Sequence, residues 1–175
     1  MIPWLLAAVP IVTRKRAGDE SNPIEMLSFA RAMREDVFLF ASVEIAHIAG
    51  FVILVGAVVM FDLRILGLSP AISVRALAKH LLTWSLVALL IVVPSGLMMF
   101  SAHASELIGN RAFQVKMALL VAAAFNAAIF LTGPFQTVGK WDTLAPAPLG
   151  AKASAAASLL IWLSIIACGR LIAYL

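Results

Sequence analysis

"VEIAHIAGFVILVGAVVMFDLR", residues 43–64, decides the fold. Between His47 and Asp62 it has no charged side chain, and with the preceding Val37–Ser42 it forms an apolar run of more than 20 residues. A bilayer core takes about 20 residues of helix to cross. In lipid such a run must be helical, because each backbone N–H and C=O needs a partner within the segment. Three further runs of this kind follow, at Leu81–Phe100, Phe113–Leu131 and Ala151–Ala173. The chain has 175 residues, 63% of them hydrophobic and 13% charged. A soluble domain is nearer half apolar and a quarter charged, so this is an integral membrane protein, multi-pass and of a single domain. Short connections make consecutive helices antiparallel neighbours. The expected fold is all-α, a four-helix up-down bundle over residues 37–175, preceded by an interfacial segment over 1–36.

Within that segment, "NPIEMLSFARAMRED" alternates Ile24, Leu27, Phe29, Ala30 and Met33 with Glu25, Arg31, Arg34 and Glu35. It reads as an amphipathic helix on the membrane surface, starting at Pro23. "MIPWLLAAVPIVTRKR" places its cations after its apolar stretch, the reverse of a secretory signal. It is expected to stay on the mature chain. Cations favour the side that holds both termini: Arg14, Lys15, Arg16, Arg31, Arg34, Arg111, Lys116 and Arg170 there, against Arg64, Arg75, Lys79, Lys140 and Lys152 opposite. The positive-inside bias then puts both termini in the cytoplasm, in an inner (cytoplasmic) membrane. The net charge of +4 reflects this bias and is no footprint for nucleic acid. Cys168 alone allows no internal disulfide, and with no C-x-x-C-H stretch covalent c-type haem attachment is excluded.

Polar residues inside the apolar runs are costly and mark candidate sites. Glu44 and His47 share a helix face, and His47 lies about 8 Å deep from the terminal side. His103, Lys116 and Arg170 end on that same side, and Asn126 lies deeper. A neutral imidazole ligates iron, a carboxylate can orient the ring, and cations can pair haem propionates. His47 and His103 are therefore the candidate axial ligands of a b-type haem in a cytochrome b-like electron-transfer protein. Glu44 would orient His47, with Lys116 and Arg170 at the propionates and Gly96 making room for a flat ring. The two histidines differ in expected depth by about 12 Å, which is awkward for one iron. Copper is an alternative, with thioethers from Met98, Met99 and Met117. So is proton or quinone handling by Glu44 and His47. A non-catalytic role stands beside these, as an accessory subunit with a membrane protein partner or as a homo-oligomer. Trp84 and Trp141 read as interfacial belt residues. "FDLR", residues 61–64, reads as a local ion pair at a helix end. Gly150, Ser154 and Ser158 form a small-residue ladder for close helix approach.

"VEIAHIAG", "FDLRILGL", "NRAFQVKMALL", "SLLIWLSIIACGRLIAYL" and the Trp of "KWD" together resemble a bacterial family of small four-helix membrane proteins known as a domain of unknown function. The likeness runs from Ile24 onward. More distantly, His47 and the "F-x-x-K" stretch ending at Lys116 are similar to CopD-type copper resistance proteins and HemJ-type protoporphyrinogen oxidases. That likeness implies haem or copper.

Overall fold

The computed structural model describes Pro23–Tyr174. Four long helices carry the expected spans: α2 (Val37–Leu66), α3 (Val74–Ala102), α5 (Arg111–Thr132) and α6 (Leu149–Leu171). All four are long and apolar enough to cross a membrane. Two short helices, α1 (Ser28–Glu35) and α4 (Ala104–Gly109), lie on the terminal side, and a 3-10 segment, Pro134–Lys140, lies opposite. The expectation that "MIPWLLAAVPIVTRKR" stays on the mature chain falls outside the described residues.

Caps decide where the helices start and stop, and they extend two of them beyond the apolar runs. Asp36 begins α2 by accepting from the N–H groups of Phe38 and Leu39 at 2.9 and 3.1 Å. Gly67 ends it at φ 118°, where the Leu63 and Arg64 carbonyls are capped from Leu68 and Gly67. That left-handed conformation suits glycine. Ser73 opens α3 by accepting from Ala76 N–H, so α3 begins seven residues before the apolar run at Leu81. The stretches 63–66 and 74–79 are therefore helix and not loop. α1 starts at Ser28, later than expected, because Pro23–Leu27 closes a turn through Met26 N–H to the Pro23 carbonyl.

The packing is less even than an ideal bundle. α2 packs tightly on α3, α5 on α6, and the two hairpins join where α2 meets α6. No Cα of α3 comes within 8 Å of one on α5. The short α3–α5 connection had implied adjacent packing, but α4 spans the gap instead, leaving a seam floored by α2 and α6. Near the terminal side a ring stack crosses it, Phe100 on Phe113 at 5.6 Å.

Small residues set the close approaches. A Cβ placed on Gly50 would lie 2.9 Å from Val92 Cγ2, so there the backbone of α2 meets the side chains of α3 directly. On α6, Ala151, Ala155 and Ser158 are the buried face, offset from the expected Gly150–Ser154–Ser158 ladder. Large apolar side chains such as Val52, Leu90, Phe125 and Leu163 point outward, toward lipid.

At the far end, Ile65, Val74, Phe130, Val138 and Trp141 form the main core. Trp141 is 4% exposed and donates to Thr137, so it is a core residue and not a belt residue. Arg64 is buried here as well, donating to the carbonyls of Ile72 (2.6 Å), Pro70 (2.9 Å) and Asp142 (3.0 Å). Asp142 accepts from Arg75 N–H at 2.7 Å and from the Ser73 hydroxyl, tying the α5–α6 connection to the start of α3. The Arg75 N–H bond above all, with the Ser73 hydroxyl and the charges of Arg75 and Arg64, holds the Asp142 carboxyl below its usual range against the opposing effect of burial.

Candidate functional site

His47 sits where α2 crosses α3. Its Nδ1 lies 2.9 Å from Ser95 Oγ. That hydroxyl has one proton, committed to the Ile91 carbonyl at 2.6 Å. With that proton on the Ile91 carbonyl, Ser95 accepts from the imidazole, which assigns the ring proton to Nδ1 and leaves the lone pair on Nε2. The missing side chain of Gly96 makes the space: a Cβ there would be 3.1 Å from His47 Cε1. The room expected beside Gly96 for a flat ring is taken by the histidine itself.

Lys116 reaches this region from α5. It is close enough for its charge to act on His47, and its Nζ lies 3.8 Å from where a Cβ of Gly169 would be. It is half-buried, with Cys168 nearby. Among the described residues it has no hydrogen bond and no carboxylate partner. His47, Ser95, Lys116 and Gly169 thus bring all four long helices to one level.

The other expected members are elsewhere. Glu44 is exposed and makes no hydrogen bond to His47; Ser95 occupies the orienting position in its place. His103 lies eight residues beyond Ser95 on α3, about 12 Å along the axis. It stands edge-on to Phe40 and lines a shallow cavity with Glu106 and Asn110. Arg170 is exposed, hydrogen-bonded to the Tyr174 hydroxyl and lying over its ring at 4.9 Å. Met98 and Met99 pack against the Met33–Val43–Ala102 cluster, while Met117 is exposed. No group of three or more His, Cys, Asp or Glu side chains suited to a metal ion occurs among the described residues.

Glu25 was read only as part of an amphipathic face. It accepts from Ser105 N–H at 2.7 Å and from the Ser105 hydroxyl at 2.6 Å. Arg34 ties its backbone carbonyl and that of Ala102 to the same point. The α1 region is therefore stapled to the α3–α4 junction, with Ala30 and Met33 buried against protein. Burial pushes the Glu25 carboxyl up, but the Ser105 bonds and the charges of Arg34 and His103 outweigh it and hold it low.

Asp62 also lies elsewhere than the sequence implies. The "FDLR" stretch reads as a local ion pair of Asp62 with Arg64 at a helix end. Because α2 continues to Leu66, Asp62 is a full turn inside. Arg64 turns to loop carbonyls, and Asp62 turns into the bundle, 5% exposed. Its Oδ2 is sealed off without a hydrogen bond among the described residues, and only the Ser158 hydroxyl reaches the carboxyl. It lines a cavity of about 320 Å³ in the α3–α5 seam. Asn126 and Ser154 line it too, bonded to each other: Asn126 Nδ2 to the Ser154 carbonyl and the Ser154 hydroxyl to Asn126 Oδ1, both 3.0 Å. The signal available was the depth of Asn126 together with the polar members of the α6 ladder.

Residues 34–175 match the model of a family described as "Family of unknown function (DUF6644)", and the chain belongs to that family. No curated protein and no solved structure matches it.

Proposed function

We propose that this multi-pass protein lies in the cytoplasmic membrane, with both termini in the cytoplasm, and carries a b-type haem on His47 for electron transfer. The observation that supports this is the contact of His47 Nδ1 with Ser95 Oγ at 2.9 Å. Ser95 leaves the His47 Nε2 lone pair free, as an iron ligand requires, and hydrogen bonding behind a ligating histidine is the usual way its orientation and basicity are set. Lys116 fits the same group, because a half-buried ammonium without a counter-charge calls for an anion, and a propionate supplies one. Bound haem would provide a one-electron couple tuned by this surrounding protein. His103 is not put forward as the opposite ligand, since its helix position is about two turns from the residue that holds His47. Glu44 and Arg170 are likewise left out of the haem contacts.

The test is the absorption spectrum of detergent-purified protein expressed with ample haem. A Soret band is expected, with His47→Ala abolishing or shifting it. His80→Ala and His103→Ala should leave it in place, and Ser95→Ala should retain haem at a changed potential. A colourless protein that binds no added haem would refute the reading. Metal analysis for copper would follow, and a metal-free result there would favour a non-catalytic membrane subunit.

A further inference from the structure

The cavity in the α3–α5 seam is a narrow slot. It runs along α3 from Ala78 to Leu89 and along α5 from Leu131 to Leu120, eleven residues on each helix. At 1.5 Å per residue that is a length of about 16 Å. A volume of about 320 Å³ spread over this length leaves a section of about 20 Å². One extended hydrocarbon chain has that girth. A helix from a second copy, about 10 Å across, does not fit. Leu82, Leu89, Ala124 and Ala127 line the slot and are exposed, so it is open along its side to the bilayer. Its polar wall groups are few and mostly engaged. Asn126 and Ser154 bond each other, the Ser158 hydroxyl serves Asp62, and Asp62 Oδ2 is sealed off. Ser85 adds a hydroxyl, which in a helix can turn to the carbonyl four residues back. The wall therefore suits hydrocarbon.

Charge lies at one end of it. Arg75 precedes Ala78 by three residues and Leu82 by seven, so it continues the slot's stripe of α3 by one turn at the far end. Lys79 stands three residues before Leu82. Both cations are exposed. The Arg75 side chain extends toward the 3-10 segment, with Nη2 3.3 Å from where a Cβ of Gly139 would be, and Phe135 of that segment walls the slot. Among the described residues neither side chain makes a hydrogen bond or an ion pair. Asp142 feels the Arg75 charge, but its carboxylate is already held by the Arg75 backbone N–H and the Ser73 hydroxyl. A guanidinium and an ammonium above an apolar slot complement a phosphate that carries a hydrocarbon tail. We propose that the seam binds one anionic phospholipid, with an acyl chain in the slot and the phosphate at Arg75 and Lys79. A free phosphate would use the cations and leave the slot empty, and an uncharged lipid would do the reverse. The site involves neither His47 nor haem.

Native mass spectrometry of the delipidated protein in detergent reads lipid binding directly. The protein is titrated with phosphatidylglycerol and, separately, with phosphatidylcholine of the same acyl chains. Saturation at one phosphatidylglycerol is expected, at least tenfold tighter than phosphatidylcholine. Ala127→Phe, which fills the slot from its exposed rim, should weaken both lipids at least tenfold. Ala124→Phe, three residues away on the same wall, makes the same test if the first variant fails to fold. Arg75→Gln combined with Lys79→Gln should lower phosphatidylglycerol to the level of phosphatidylcholine and leave the latter unchanged. Equal binding of the two lipids by the wild-type chain would overturn the proposal. So would phosphatidylglycerol binding that survives the filled slot, or a preference that survives loss of both cations. Displacement of the lipid by inorganic phosphate at equal concentration would reduce the site to its cations and overturn it as well. A colourless protein that passes these tests keeps the lipid site and loses only the haem.

Discussion

Gly50 and Gly56 are on the same helix, six residues apart, and the structure gives their replacement by alanine opposite signs. A Cβ on Gly50 would meet Val92 Cγ2 at 2.9 Å, Ile91 Cγ2 at 3.3 Å and the Ala88 carbonyl at 3.4 Å. A Cβ on Gly56 would meet nothing within 4 Å. Both changes remove a helical glycine, which favours the helix by about 1 kcal/mol. At Gly56 that gain is not opposed. At Gly50 it is opposed by overpacking, typically about 1–3 kcal/mol. The clash is hard to relieve, because Val92 is β-branched and holds one χ1 rotamer in a helix, and the Ala88 carbonyl is backbone. The propensity gain is common to the two variants and cancels in their difference. Gly56→Ala should therefore be more stable than Gly50→Ala by about 1–3 kcal/mol, and Gly50→Ala should lie at or below wild type. SDS-induced unfolding in mixed micelles, followed by tryptophan fluorescence, measures both. The double variant Gly50→Ala with Val92→Ala should be more stable than the sum of the single effects, since the second change removes the clashing atom. If Gly50→Ala proves as stable as Gly56→Ala, the close α2–α3 crossing at Gly50 is wrong, and with it the geometry that places His47 against Gly96.

Arg64→Met should destabilise the far end by about 3–5 kcal/mol, since it strands three carbonyls that share one buried guanidinium. Arg64→Lys should recover only part of this, because an ammonium cannot reproduce the fork; the same unfolding assay reads both. The Asp142 carboxyl is held below its usual value in the folded chain, so its stabilising share is full above the ordinary value of 3.8 and is lost as pH falls through the lower folded value. Melting temperature followed from neutral pH into that acid range should fall more for wild type than for Asp142→Asn, which carries no such proton uptake. Glu25 has the same sign, and an accessible label on α1 should gain mobility in Glu25→Gln at neutral pH, where the wild-type carboxylate still holds Ser105. Fusing a reporter that is active only outside the cytoplasm to the C-terminus should give no signal, and strong activity would reverse the proposed orientation.

What the sequence determined by itself is the set of things lipid imposes locally. The apolar run around His47–Asp62 calls for a membrane helix whatever surrounds it, and three more apolar runs give four candidate spans. Helix ends were less legible. Caps such as Ser73 and Gly67 extend α3 and α2 past their apolar runs, and a cap is recognised by backbone geometry more than by hydropathy. Which polar residues meet was decided by tertiary structure alone. Spacing put Glu44 on the His47 face, yet a helix face about 100° wide still leaves one member facing a neighbour and the other facing out. Ser95 therefore orients the ring, a role that its place beside Pro94 and Gly96 in the apolar run did not disclose. Asp62 and Arg64 are two apart and so project to different sides of a helix, one to the interior and the other to the loops. Only the packing of α6 against α2 and the separation of α3 from α5 decided that the interior side would be a cavity, because an opening between helices depends on where four segments stop approaching one another.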